Sequence, residues 1–241
     1  MIAASAIVLL ASFVQSVTGF GFCLVATPLL LFVFETKSVV VIGVILNAVL
    51  CALILLHSRQ HIDIRRVALI CVGSIFGIPL GAYLLSSINP SMIKLVIAVL
   101  VIPFSVFLLL GKALWFKRDS LGCGTAGFVS GALSTSTSLS GPPVVLFLLN
   151  QGLVKKQFVA TLAAYFLFCS LVSIGAFSFI GMVTTGLLMD IITLLPTLVI
   201  GFYAGIKVRP KINAALFKRI ATSVILVTAL TLIVTFLLES T

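Results

Sequence analysis

The sequence predicts an all-α polytopic membrane protein made of two inverted repeats, each a broken or re-entrant helical hairpin followed by three transmembrane helices. Three observations predict this fold class. Of the 241 residues, 61% are hydrophobic and only 8% are charged, whereas a soluble domain carries about 25% charged residues. Two long charge-free segments are each interrupted by small polar residues. Finally, almost all of the basic residues fall in alternate loops.

Repeat 1 is predicted over residues 1–118 and begins with the charge-free segment 1–34, which is broken at residues 15–21 (QSVTGFG). As one helix this segment would be about 50 Å long, against a hydrocarbon core of about 30 Å. Two half-helices that meet at the break in a hairpin therefore fit better. Loop backbone at this depth must be buried in protein or line a polar cavity. The three spans that follow are predicted over about 38–56, 67–86 and 92–111.

Repeat 2 is predicted over residues 119–241 and follows the same plan. Its hairpin is the charge-free segment 120–154, broken at residues 134–143 (STSTSLSGPP). Paired broken apolar segments are typical of the substrate sites of repeat-built transporters. The spans that follow are predicted over about 158–180, 189–206 and 220–238.

The two halves also match residue by residue. Gly77 and Gly81 correspond to Gly201 and Gly205 at an offset of 124, and the stretch 18–21 aligns with 138–141 at an offset of 120. Small residues at four-residue spacing let membrane helices approach closely, so the glycine pairs predict helix packing. The offset of 124 that the two glycine pairs share indicates an internal duplication.

The basic residues predict the topology. If each broken segment enters and leaves on one side, all 15 basic residues except Lys37 and Lys94 share one face. If each segment crossed once, the basic stretch 207–219 would lie opposite the basic loop 57–66. The positive-inside rule therefore favours hairpins, with both termini outside and the basic loops in the cytoplasm. Two short full spans per broken segment give the same parity and remain an alternative.

Composition and motifs exclude several functional classes. The net charge of +10 lies in short loops between apolar spans, where it meets lipid headgroups, so we expect a lipid bilayer and no nucleic acid as a partner. The five cysteines lie in apolar runs without CxxC spacing and are expected to be buried free thiols. The sequence has no P-loop, HExxH, GxSxG or Cys/His cluster. We therefore expect no enzyme activity, no catalytic residue, no metal and no cofactor.

The two breaks carry the candidate binding residues. Neither break contains Lys or Arg, so a buried anion would be held by helix N-terminal N–H groups and hydroxyls. The second half-helices are expected to start near Phe22 and Val144. The alternative is that the hydroxyls only satisfy backbone groups freed by the break. For Asn47 and Tyr165, which lie within spans, interhelical packing is an equal alternative. The candidate substrate-binding residues are Gln15, Ser16, Thr18, Gly19, Gly21, Asn47, Ser134, Thr135, Ser136, Thr137, Ser138, Ser140, Gly141 and Tyr165.

Three features resemble the sulfite exporter TauE/SafE family, also called the toluene-sulfonate uptake permeases. They are the stretch 18–21 followed by Pro28-Leu29-Leu30, the stretch 127–131 leading to 140–146, and the paired Gly-x-x-x-Gly helices. The resemblance covers essentially the whole chain and implies about eight helices in two repeats, with export or uptake of small sulfur oxyanions and organosulfonates. The chain departs from the family pattern at residues 134–140, which are rich in Ser and Thr where the family has a Gly-rich stretch.

The expected function is therefore transport of a small sulfur-containing organic or inorganic anion, such as a sulfonate or sulfite, across a bacterial inner membrane. The anion is expected to bind between the two breaks at the membrane midplane. Two alternatives stay open at this point: an anion channel through the same path, and a membrane sulfur-relay protein that uses Cys23. A homodimer is also left open.

Overall fold

The computed structural model describes residues 1–58, 62–93, 95–97, 99–100, 119–149, 151 and 153–209. All regular structure in these residues is helical, which confirms the all-α fold class. The span predicted over 92–111 lies largely outside the described residues, and the span predicted over 220–238 lies entirely outside them. The helices are α1 (Ile2–Thr18), α2 (Phe22–Leu30), α3 (Thr36–Ser58), α4 (Ile64–Ser87), α5 (Asp119–Thr137), α6 (Gly141–Leu149), α7 (Lys155–Phe179) and α8 (Thr185–Val208).

Four of these helices, α3, α4, α7 and α8, are long and apolar enough to cross a membrane. Each has 23 to 25 residues and is about 35 Å long. In contrast, α2 and α6 have nine residues each and reach only about 13 Å, less than half of the hydrocarbon core. Each charge-free segment is therefore split into a long and a short helix, so the two predicted half-helices differ in length.

The order of the helices repeats. α2 and α6 both have nine residues and begin at 22 and 141, which is an offset of 119. α3 and α7 begin at 36 and 155, the same offset, while α4 and α8 both have 24 residues and begin at 64 and 185. At the breaks the structural offset is thus one residue less than the sequence comparison indicated.

Helix packing repeats in the same way. The most extensive helix contacts in the described part of the chain join α4 to α5 and α1 to α8. A Cβ at Gly77 would crowd the carbonyl oxygen of Phe128, and a Cβ at Gly201 would crowd that of Leu9, 119 residues earlier. The packing role predicted for the glycines is confirmed, because only glycine allows these backbones to approach so closely.

The second glycine of each pair repeats this contact one turn further along. Gly81 lies against the carbonyl oxygen of Ala132, and Gly205 against that of Phe13, again 119 residues apart. The first helix of each hairpin therefore packs on the second long span of the other half of the chain.

The centre of the protein is formed by α3 and α7, which pack against each other. Within the most apolar window of each helix, 67% of α3 and 61% of α7 are buried, against 44% of α4 and 28% of α8. The outer helices expose large apolar side chains such as Phe76, Tyr83, Ile192 and Tyr203. An apolar outer surface of this kind suits a lipid environment.

Candidate functional site

The first break is a tight turn built from two glycines. Gly19 has φ 89° and ends α1, where its N–H donates to the carbonyl of Gln15 over 2.7 Å. Gly21 has φ 106° and precedes α2. Side chains rarely adopt these left-handed conformations, so glycine is needed at both positions. The side chain of Val159 on α7 lies against Gly19 and leaves no room for a Cβ.

The second break begins with the same turn, with a serine in place of the first glycine. Ser138 has φ 62° and occupies the position 119 residues after Gly19. Its N–H donates to the carbonyl of Ser134 over 3.0 Å, which matches the bond from Gly19 to Gln15. Its hydroxyl lies 2.6 Å from the hydroxyl of Thr27 on α2, so the second break is tied to the first hairpin.

The two breaks meet at a small cavity of about 20 Å³, which has room for about one water molecule. The N-terminal end of α2 forms one wall, and residues of the second break form another. Because the two breaks come from opposite halves of the chain, the cavity lies where the two hairpins approach each other. It is lined by Gln15, Gly21, Cys23, Leu24, Asn47, Leu139, Ser140, Gly141 and Phe166.

Gln15 organises the first side of the cavity. Its Oε1 accepts the N–H of Phe22 over 2.8 Å and so caps the first turn of α2. Its Nε2 donates to Oδ1 of Asn47 over 3.1 Å and to Sγ of Cys51 over 3.3 Å. In turn, Nδ2 of Asn47 donates to Oγ of Ser170 over 3.3 Å. A buried hydrogen-bond network centred on these two side-chain amides thus connects α1, α2, α3 and α7.

A second polar chain supports the other break. The hydroxyl of Tyr165 donates to Oγ of Ser130 over 2.8 Å. The hydroxyl of Ser130 in turn donates to the carbonyl oxygen of Ser140. Tyr165 therefore acts through Ser130 on the backbone of the second break and does not itself line the cavity.

Most other candidate hydroxyls bond to backbone carbonyls. Ser16 donates to Ser12, Thr135 to Ile78, Ser136 to Ala132 and Thr137 to Leu133, at distances of 2.7 to 2.9 Å. Such bonds satisfy helical backbone and leave the hydroxyl less free to bind a ligand.

Two further candidate hydroxyls bond within the breaks or across helices. The hydroxyl of Thr18 bonds to carbonyl oxygens of its own break, those of Val14 and Phe20. Ser134 lies 3.4 Å from the hydroxyl of Ser173 on α7. The other candidate residues do not line the cavity. The candidates that line it are Gln15, Gly21, Asn47, Ser140 and Gly141.

The sequence model of the family described as sulfite exporter TauE/SafE matches residues 4–232. The chain belongs to the TauE/SafE family. No curated protein and no solved structure matches it.

Membership of the TauE/SafE family confirms the resemblance seen in the sequence and makes the chain a membrane transporter of a family named for sulfite export. A membrane transporter is consistent with the long apolar helices of the structure. In this TauE/SafE chain, all of the cavity-lining residues are uncharged. In the part of the chain that the structure describes, no group of His, Cys, Asp or Glu is arranged to hold a metal ion.

The second half-helix of this TauE/SafE protein begins earlier than expected. α6 starts at Gly141, not near Val144, because Pro142 and Pro143 already have the φ angle of a helix and are tolerated in its first turn. Proline has no N–H, so this helix presents fewer backbone donors to the cavity than α2 does.

Sequence reasoning did not select several residues that form the site. Leu24, Leu139 and Phe166 line the cavity as apolar walls, and their types carry no signal in an apolar sequence. Thr27 and Ser130 contact the breaks from neighbouring helices. The sequence marks each of them only as a polar residue close to a proline or a glycine motif. Cys23, named above for the sulfur-relay alternative, lines the cavity, and its thiol lies 3.7 Å from the carbonyl oxygen of Gly43.

Proposed function

We propose that this TauE/SafE protein carries a small sulfur-containing anion, such as a sulfonate or sulfite, across the bacterial inner membrane. The anion binds between the two breaks. The observation that supports this most strongly is the cavity at which the N-terminal end of α2 meets the second break. A helix N-terminus carries about half a positive charge and unpaired N–H groups, which suits an anion in a site without Lys or Arg.

We further propose that the chain consists of two inverted repeats, 1–118 and 119–241, whose breaks lie near the bilayer midplane. The common offset of 119 residues between α2 and α6 and between α3 and α7, together with the reciprocal glycine contacts, supports a duplication. The inversion follows from the basic loops. They share one face of the membrane only if the two halves begin on opposite sides of it. Both termini then lie outside.

Transport requires the cavity to widen, because its present volume of about 20 Å³ holds no more than a water molecule. We propose that the hairpins separate at the cavity, alternately toward each side of the membrane. The buried contact between Thr27 and Ser138 is the described hydrogen bond that most directly joins α2 to the opposite break. A carrier of this kind saturates, whereas an open anion channel through the same path does not.

Thermal stabilisation of the purified protein tests the substrate class. The panel contains sulfite, thiosulfate, sulfoacetate, taurine and non-sulfur carboxylates of similar size. A ligand that binds only the folded protein raises its stability by about 2.7 kcal/mol at a hundred times its Kd. We expect at least one anionic sulfur compound to raise Tm in a saturable manner. Stabilisation by the carboxylates alone would contradict the proposed substrate class.

A further inference from the structure

The two half-helices differ in the backbone groups that they present to the cavity. At the offset of 119, Cys23 corresponds to Pro142 and Leu24 to Pro143. The prolines of α6 have no N–H, whereas Cys23 and Leu24 of α2 each have one. In the described residues, neither of these two N–H groups has a hydrogen-bond acceptor; the intrahelical ladder starts with Val25, which donates to Gly21 over 3.1 Å.

The cap on α2 leaves these two donors at the cavity. Gln15 takes the N–H of Phe22, the first residue of the helix. Cys23 and Leu24 follow, and both line the cavity. The N–H groups of a first helical turn point out of its N-terminal end, so they are directed toward the break. A nine-residue helix thus presents two unpaired donors and its positive dipole end to one small cavity.

An independent observation on the facing wall also indicates a ligand. Ser140 is 6% exposed and lines the same cavity. Among the residues that the structure describes, its hydroxyl has no hydrogen-bond partner, although its carbonyl oxygen accepts from Ser130. The hydroxyl of Ser138, two residues earlier, is taken by Thr27. Because the rest of Ser140 is buried, the part of this residue that stays accessible faces the cavity, where its hydroxyl can pair with a group from outside the chain.

The remaining walls limit the charge of this partner. Leu24, Leu139 and Phe166 are apolar, and no lining residue is charged. One helix end supplies about half a positive charge, which partly offsets one buried negative charge. A second negative charge would be left without compensation, and the cost of burying an uncompensated charge is high.

We propose that the site takes a singly charged oxyanion, to which only one of the two half-helices donates backbone N–H groups. The oxygens of the anion accept hydrogen bonds from the N–H groups of Cys23 and Leu24 and from the hydroxyl of Ser140, while the Pro142 and Pro143 positions of the other half-helix donate nothing. This assignment rests on the proposed function and specifies how its site works. It makes the two repeats chemically unequal although their helices match.

The test uses the purified full-length protein and titration calorimetry with methanesulfonate, a monoanion, and sulfate, a dianion of similar shape. Cys23→Pro gives the first half-helix the residue of the second, and Pro142 shows that such a turn accommodates proline. We expect Cys23→Pro to bind methanesulfonate at least ten-fold more weakly than Cys23→Ala, which retains the N–H. A hydrogen bond to a charged partner is worth about ten-fold or more in affinity.

A second variant removes the hydroxyl without changing the backbone. Ser140→Ala is expected to weaken methanesulfonate binding about ten-fold. Its matched control is Ser74→Ala, since the hydroxyl of Ser74 is buried and donates to the carbonyl of Cys71 on its own helix. Sulfate is expected to bind the unmodified protein at least ten-fold more weakly than methanesulfonate. Circular dichroism and gel filtration check that each variant is folded.

The outcomes separate this assignment from the proposed function. If the unmodified protein binds methanesulfonate and Ser140→Ala binds it equally well, the assignment is overturned and the proposed function stands. Equal affinity of Cys23→Pro and Cys23→Ala, or tighter binding of sulfate, overturns it as well. If Cys23→Pro does not fold, Ser140→Ala and the sulfate comparison decide. If the unmodified protein binds none of methanesulfonate, sulfite and sulfate, the proposed function itself fails.

Discussion

The hydroxyl of Thr27 on α2 lies 2.6 Å from the hydroxyl of Ser138, which is 111 residues away in the second break. Both side chains are almost completely buried. Ser138 also has a positive φ of 62°, a conformation that costs a residue other than glycine about 1–2 kcal/mol. The bond therefore helps to hold a strained residue at the point where the two hairpins meet.

Removal of this bond should destabilise the protein. Thr27→Val keeps the shape of the side chain but leaves the hydroxyl of Ser138 without this partner. We expect a loss of about 1–3 kcal/mol in the free energy of unfolding, measured by thermal or denaturant unfolding in detergent. The double variant Thr27→Val, Ser138→Ala should recover part of the loss, because both partners are then apolar. A double variant as unstable as the sum of the two single variants would show that the hydroxyls do not interact.

The reciprocal glycine contacts predict equal effects in the two halves. Gly77→Ala and Gly201→Ala each place a Cβ against the backbone of the facing helix. We expect each to cost about 1–3 kcal/mol or to prevent recovery of monodisperse protein, because the helices must separate. The control is Gly175→Ala on α7, where no atom beyond the local backbone of its own helix lies within 4 Å of the new Cβ. A large effect in only one half would contradict the equivalence of the two contacts.

The positions of the breaks could be predicted from the sequence because their signals are local. A charge-free segment too long for one crossing, interrupted by Gly19 and Gly21, requires a turn at that place, and α2 begins at Phe22 as predicted. The glycine pairs were equally informative, since close helix packing requires small residues.

The contacts made at the breaks could not be predicted in this way. Gln15 caps Phe22, seven residues later, only because the chain reverses between them. Thr27 meets Ser138 only in the folded structure. A serine or threonine in a helix has the same sequence pattern whether its hydroxyl bonds to a carbonyl four residues earlier, as Ser136 does, or faces a cavity, as Ser140 does. The set of hydroxyls predicted from the sequence was therefore too broad.

A negative charge at Gln15 should block anion binding, with some loss of stability. In Gln15→Glu a carboxylate oxygen still accepts the N–H of Phe22, and a negative charge next to a helix N-terminus is favourable. The same charge would lie at the positive N-terminal end of α2, where we propose that the anion binds. We expect a loss of at least ten-fold in anion affinity. We also expect a Tm below that of the unmodified protein, because Gln15 is buried and its Nε2 donates to Asn47 and Cys51, bonds that a carboxylate cannot make. The exposed-site control is Thr185→Glu at the start of α8.

If Gln15→Glu bound the anion as tightly as the unmodified protein did, the charge of the substrate would lie away from α2. That result would move the site away from the first break, whatever the effect of the variant on stability.

The proposed topology predicts which ends of α7 and α8 are accessible. In a cysteine-free protein, Lys156→Cys and Thr185→Cys each place one thiol at an exposed position, at the start of α7 and at the start of α8. An impermeant maleimide added to sealed spheroplasts should label position 185 and not position 156, because the basic loops are assigned to the cytoplasm. The reverse pattern would refute the orientation, and labelling at both positions would refute the crossing of α7.

The central claim is that this TauE/SafE protein carries a small sulfur-containing anion through a site between two breaks, and counterflow tests it most directly. Purified protein in liposomes is loaded with unlabelled sulfite or methanesulfonate and diluted into a trace of the same anion labelled with ³⁵S. A carrier predicts transient accumulation of the label above its equilibrium level, saturable by the unlabelled anion and absent from protein-free liposomes. A monotonic approach to equilibrium, with no overshoot and no saturation, would contradict the account and show an open pore or no pathway for these anions.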